Sequence, residues 1–318
     1  MSELGVVHLV RRANGIEPFT RFLDSYRRHP AAAEHELVLV FKGFAGDAAV
    51  ESHLALASGL RARSLSVPDD GFDLGAYWRA ARELPHRRLL FLNSFSVILA
   101  DGWLEPLAAA LRDPSVGAVA ASGSWGSQAS HMRYGLGLGG PYARVFADRE
   151  STQRVFAELA SRGDQEQAAR GRAGRVAGAL HIATTIARQT IGFAQFPAPH
   201  LRTNGLLIER ERWLEICRSA PRDKLAAHRM ESGRRGFTAR LRRDGLDVVV
   251  VGRDGRVHRS EQWPDSSTFW QGDQQNLLIG DNQTDSYRTG DALRRRVLSG
   301  YAWGPRAAPA EPAASEAT

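Results

Sequence analysis

Residues 87–107 read RRLLFLNSFSVILADGWLEPL. Leu89, Leu90, Phe91 and Leu92 form an apolar run too short for a helix and long enough for a strand buried on both faces. The run stops at a polar elbow, Asn93-Ser94-Phe95-Ser96. After Asp101-Gly102, residues Leu104, Leu107, Ala108 and Leu111 share one helical face, which predicts a helix from Trp103. Strand, polar elbow and helix in succession make the repeating unit of an open α/β sheet. Ligands of such sheets sit beyond the carboxyl ends of the strands, so chemistry is to be sought at the elbow.

Working outward, the same unit recurs. Residues 5–10 (GVVHLV), 36–41 (ELVLVF), 63–67 (RSLSV), 116–121 and 247–251 (DVVVV) read as further strands. Helical patterns over 18–26, 48–57 and 74–84 separate the early ones. The alternation predicts an α/β fold built on a doubly wound, mostly parallel sheet. Between 122 and 199 the alternation breaks into a helical insertion, with helices expected over 149–162 and 165–189 and a flexible loop at the glycines of YGLGLGG, 134–140. Order returns at 200 with a strand over 201–208 and a helix from Arg212. Met230-Glu231-Ser232 is expected to open a helix through Phe237 and Leu241, and further helices are expected over 263–279 and 292–298. One domain over 1–304 follows. The Ala-, Pro- and Glu-rich residues 305–318 read as a disordered tail.

Composition excludes several classes. The chain has 318 residues, 43% hydrophobic and 24% charged, ordinary for a globular protein. No run approaches the ~18 apolar residues of a membrane span, and the first residues show no secretory pattern, so a cytoplasmic location is expected. Cys217 is the one cysteine and reads as helix packing. The net charge is +7, and apart from Lys42 and Lys224 every basic residue of the Lys/Arg set is arginine. Codon bias accounts for this, as does attraction to anionic headgroups or phosphorylated donors, which leaves peripheral association with the inner membrane face open. The arginines are scattered and no nucleic-acid recognition module appears, so nucleic acid is not an expected partner. After the first strand stands Arg11-Arg12-Ala13-Asn14-Gly15 in place of G-x-G-x-x-G, which argues against a dinucleotide cofactor.

The order of these motifs resembles the nucleotide-sugar glycosyltransferases of the GT-A fold, particularly the family 2 group and its rhamnan-type polysaccharide members. In that family the elbow carries a D-x-D metal-binding element followed by a Trp-Leu helix; here Asn93 and Phe95 stand in the carboxylate positions. The turn Asp69-Asp70-Gly71-Phe72-Asp73-Leu74-Gly75 is similar to the segment that holds base and ribose. His200 to Ile208, with Arg202 and Asn204, is similar to the acceptor side, and Met230-Glu231-Ser232 to the element bearing the catalytic base. The resemblance spans about residues 5–255.

The resemblance implies a nucleotide-sugar-binding half, 1–121, and an acceptor and catalytic half, 200–304. Arg11, Lys42, Asp70, Asp73, Asn93 and Ser94 would bind the donor, Arg202 and Asn204 the acceptor, and Glu231 would be the base. The residues alone also allow Asp70 as a turn former, Asp73 and Asp101 as helix caps, and Glu231 as an ion-pair partner of nearby arginines. A Mg or Mn ion is implied by the family, yet Asn supplies only a neutral carbonyl and Phe no ligand, leaving Asp101 as a replacement or cations as the screen. The expected function is transfer of a sugar from a nucleotide-sugar donor to a glycan or lipid-linked acceptor in surface polysaccharide synthesis. The alternative is a catalytically silent module that binds a carbohydrate or a partner enzyme.

Overall fold

The computed structural model describes residues 2–44, 46, 50–164 and 191–307. In chain order the strands are β1 (Leu4–Arg11), β2 (Glu36–Lys42), β3 (Ala62–Val67), β4 (Arg88–Leu92), β5 (Val97–Ile98), β6 (Val116–Ala120), β7 (Gly123–Ser124), β8 (His200–Leu201), β9 (Leu206–Glu209), β10 (Asp247–Val251), β11 (Val257–Arg259) and β12 (Ile279–Gly280). Eight of them form one sheet in the order β11-β10-β6-β9-β4-β1-β2-β3. Pairing is parallel except along β9, antiparallel to both β4 and β6, and at β11, antiparallel to β10.

Side chains of successive strand residues point to opposite faces, and both faces here are apolar. Val7, Leu9, Leu89 and Phe91 pack with Tyr77, Trp213, Phe237 and Leu241, from helices Phe72–Glu83, Arg210–Ile216 and Phe237–Arg243. Val6, Val10, Leu90 and Leu92 pack on the other side with Phe19, Phe22 and Leu107, from helices Glu17–Arg28 and Glu105–Ala110. Helices therefore cover both faces, as the alternation predicts. Helix Glu17–Arg28 illustrates the local logic: Pro18 in the first turn, Phe19, Phe22 and Leu23 buried, Glu17 at its start and Arg27 and Arg28 at its end. Among the described residues no helix is long and apolar enough to cross a membrane.

Four expectations change. The strand expected over 201–208 is two pieces, β8 and β9, separated by a turn in which Gly205 has φ 76. The helix expected over 263–279 is a 3-10 turn, Ser260–Asp265, then irregular chain with Ser267, Trp270 and Gln274 at positive φ, then β12. Polar side chains capture its backbone instead: Gln271 donates to the Trp263 carbonyl, Gln274 to that of Thr284, and Gln274 accepts from the Trp270 N–H. Glu231 does not open a helix but lies in the last turn of helix Lys224–Ser232. The ordered chain runs past Pro305: Arg306 pairs with Asp265, donates to the Glu261 carbonyl and lies over the Trp125 ring. The helix expected over 165–189 lies outside the described residues, as do residues 308–318 of the tail.

Candidate functional site

The chain runs β1 to β2 to β3 toward one edge, then returns to place β4 on the other side of β1. A crevice opens beyond the carboxyl ends at such a reversal. Arg11, Lys42 and Val67 stand in register at the ends of β1, β2 and β3. Beyond them comes the turn 69–73. Gly71 has φ 65 and Phe72, a non-glycine, φ 55. A left-handed side-chain residue costs about 1–2 kcal/mol, and the turn is held against that cost. The Lys42 ammonium, almost fully buried, donates to the Phe72 carbonyl at 2.7 Å. Arg11 pairs with Asp69 at 3.1 Å, and Arg79 with Asp70 at 2.9 Å. Burial lowers the Lys42 pKa, while the charges of Asp73, Asp69 and Asp70 work the other way. The sequence-expected donor residues Arg11, Lys42, Asp70 and Asp73 thus gather in one place, with Asp69 as their link.

The elbow follows β4, the other neighbour of β1 in the sheet. Asn14, after β1, donates to the Ser94 hydroxyl at 2.6 Å and ties the two strand ends together. Asn93 is woven in on every side. Its N–H donates to Asn204 Oδ1 at 3.1 Å, its Oδ1 accepts from the Phe95 N–H at 2.9 Å, and its amide donates to Asp281 Oδ2 at 3.3 Å. Ser96 donates to the same Asn204 oxygen at 2.6 Å. Asn204, expected on the acceptor side, is therefore part of the elbow's floor. Arg202 reaches the same place: it donates to Asp281 Oδ2 at 2.6 Å and to Gln283 at 3.1 Å, and lies over the Phe269 ring. Its side chain is 10% exposed and that of Asp281 0%.

Asp281 and Thr203 join this cluster, and the sequence reading gave neither a role. Asp281 begins D-N-Q-T, 281–284, and its Oδ1 accepts from the backbone N–H groups of Gln283 and Thr284 at the start of helix Asn282–Arg288. The capping pattern was a readable signal for a helix start, though nothing in it points to Asn93 or Arg202. The β5–β12 ribbon brings this segment to the elbow. Thr203 donates to Glu231 Oε1 twice, from its N–H at 3.1 Å and its hydroxyl at 3.0 Å. Both bonds fall on one oxygen, so among the described residues Oε2 has no hydrogen-bond partner. Thr203 directly precedes Asn204, which places Glu231 one residue from the elbow floor.

The electrostatics agree with this gathering. Tyr77 is fully buried, and its pKa is raised by burial and then by the negative charges of Asp73, Glu231 and Asp281. Carboxylates from the turn, from helix Lys224–Ser232 and from the D-N-Q-T cap all act on one phenol. His200 and His228 both feel the Glu231 charge, yet burial outweighs it and lowers both pKa values.

Asp101 does not join the site. It pairs with His29 Nδ1 at 2.6 Å, and His29 caps the far end of a 12-residue helix. The elbow itself does not suit a divalent ion. Asn93 Oδ1 is taken by the Phe95 N–H, and the four lone-pair positions of Asp281 are filled by Arg202, Asn93, Gln283 and Thr284. Among the described residues no group of three or more His, Cys, Asp or Glu side chains has the geometry to hold a metal.

No protein-family model matches the chain, and no curated protein matches it. Among solved structures it is similar to S. aureus TarS 1–349, at 16% identity and TM-score 0.30, over 38% of this chain and 35% of that one. The same protein in complex with UDP-GlcNAc gives 16% identity and TM-score 0.31, over 38% of this chain and 34% of that one. The mannosyltransferase PcManGT from Pyrobaculum calidifontis, in complex with GDP-Man and Mn2+, gives 19% identity and TM-score 0.31, over 37% and 34%. The chain spans about a third of the length of these neighbours, and the likeness assigns it no activity.

Proposed function

We propose that the chain is a GT-A-like glycosyltransferase. It moves a hexosyl or deoxyhexosyl group, with inversion, from a nucleotide-sugar donor to a glycan or lipid-linked acceptor in surface polysaccharide assembly, at the cytoplasmic side of the membrane. The observation that carries this reading is the gathering at one crevice of a carboxylate turn fit for a nucleotide and of Glu231 with an oxygen left open. Asp70 and Asp73 accept hydrogen bonds from the base edge and ribose diol, and Arg11 and Lys42 hold the turn that presents them. Asn93 and Ser94 line the diphosphate side. Arg202 is held at the elbow by Asp281, which offsets its charge. Glu231 Oε2 takes the proton of the acceptor hydroxyl, that oxygen bonds to the anomeric carbon, and the bond to the diphosphate breaks on the opposite face. Because the elbow donors do not suit a metal, no step is routed through one.

A second reading is favoured by the same elbow. Asn93, Asn204, Arg202 and Asp281 satisfy one another without a ligand, as expected of a catalytically silent module that binds a carbohydrate or a partner enzyme. A panel of nucleotide sugars decides between the two, with binding measured by calorimetry and product by mass, in chelator and with added magnesium or manganese. Transfer or hydrolysis of one donor, changed at most a few-fold by chelator, is the expected result. Binding without turnover selects the second reading, and no binding at all refutes both the donor site and the transfer. Full loss in chelator, restored by manganese, overturns the metal-free elbow.

A further inference from the structure

A cavity of about 1380 Å³ lies between helix Arg210–Ile216, helix Phe237–Arg243 and Met230. It is separate from the crevice: Met230 lines it, while the next residue, Glu231, bonds to Thr203. Arg212, Arg218, Arg235, Arg240 and Arg243 line it, against two carboxylates, Glu215 and Asp244, an excess of three positive charges. Among the described residues none of the five forms an ion pair. Arg240 donates to the carbonyls of Ile216 and Arg235, Arg243 to that of Arg234 and Arg218 to that of Glu215, while Arg212 Nη1 is buried with no partner. Carbonyls orient a guanidinium and leave its charge intact. Like charges held in one concavity repel, and an anion that fills it relieves the repulsion.

We infer that this cavity is a second binding site, for a phosphate-bearing polyanion. The guanidinium fork matches phosphate oxygens two at a time, and five forks in this volume suit several linked or neighbouring phosphates better than one carboxylate. Half-buried Arg212 and Arg240 form the inner wall, and exposed Arg218, Arg235 and Arg243 the rim. Two sources share the chemistry: a free polyphosphate chain, which reaches the inner wall, and the headgroup phosphates of an anionic bilayer, which meet the rim.

Inorganic tripolyphosphate titrated into the full chain tests this, with two variants beside the wild type. Arg218→Gln/Arg243→Gln alters only exposed rim residues, and Arg11→Gln perturbs the strand-end crevice; circular dichroism establishes that each variant is folded. The expected result is at least 10-fold weaker tripolyphosphate binding in the rim variant, less than 2-fold change in Arg11→Gln, and unchanged nucleotide binding in the rim variant. Flotation with phosphatidylglycerol vesicles, against phosphatidylcholine, separates the sources: flotation with the anionic vesicles that the rim variant loses assigns the bilayer. Tripolyphosphate binding without flotation assigns the soluble ligand. The inference is overturned if neither anion binds, or if the rim variant binds both as the wild type does. Because nucleotide binding is read separately, failure here leaves the proposed transfer standing, and the reverse.

Discussion

Replacing Asp281 by asparagine isolates its buried ion pair with Arg202. The carboxylate makes four hydrogen bonds: Oδ1 accepts from the Gln283 and Thr284 N–H groups, and Oδ2 from Arg202 and Asn93. Asparagine keeps an oxygen for the two cap bonds. It then places an NH₂ group against two donors, and the guanidinium, 10% exposed, loses its only carboxylate among the described residues. Breaking a pair this buried costs about 3–5 kcal/mol, because the remaining charge is left desolvated. Asp281→Ala loses the cap as well, a further ~1 kcal/mol. Removing the cation too, in Asp281→Asn/Arg202→Met, takes away the stranded charge, so the double variant is expected to recover roughly 2 kcal/mol or more relative to the sum of the singles. Urea unfolding at pH 7 of the wild type, Asp281→Asn, Asp281→Ala, Arg202→Met and the double variant, with their slopes compared, measures each value. If Asp281→Asn costs under about 1 kcal/mol while Asp281→Ala costs about 1 more, Asp281 is only a helix cap and the electrostatic account of the elbow is wrong.

Three further outcomes follow from the same geometry. Glu231→Gln keeps the Thr203 bonds and removes basicity, so turnover should drop at least ~10²-fold with nucleotide affinity and thermal midpoint little changed; near wild-type turnover would make Glu231 structural. His8 is fully buried, stacked at 3.5 Å on Phe22, and burial pushes its pKa down to about 3. Below the unfolded value of 6.5 the unfolded chain takes a proton that the folded chain refuses, so this contribution is intact above pH 6.5 and shrinks as pH falls toward 3. At pH 5 the loss is roughly 2 kcal/mol, and urea midpoints at pH 7.5 and 5 should differ less in His8→Leu than in wild type; equal differences refute it. Deleting residues from Pro305 onward removes the Arg306 contacts to Asp265, Glu261 and Trp125, and should lower the thermal midpoint by roughly 2 °C, whereas a cut after Ala307 should not, as calorimetry would reveal.

The strands were legible in the sequence because they depend on neighbours in the chain. A strand buried on both faces reads as an apolar run wherever it goes, and the polar elbow at 93–96 marks the end of one. Helix Glu17–Arg28 carries its apolar stripe, its proline and its charges within a dozen residues. The turn 69–73 announced itself by Asp and Gly, and the structure puts its acidic groups beside Arg11 and Lys42 as the register of β1, β2 and β3 requires.

What no local pattern carries is the choice of partner. β9 enters the sheet antiparallel between β4 and β6, a pairing set by what covers its two edges rather than by its own apolar residues. Residues 263–279 have enough apolar periodicity for a helix, and lose it to glutamines that bond to distant carbonyls. Glu231 looked like the first residue of a helix and is near the last of another, since the turn of chain at Gly233 that ends it depends on tertiary packing. The sequence reading gave Asp281 no role. Its meaning comes from Arg202 and Asn93, 79 and 188 residues away in the chain, and only the folded sheet sets those three side chains together with water excluded. A carboxylate is a cap, a counter-ion or a base according to which donors share its burial, and those donors are assembled by the tertiary structure.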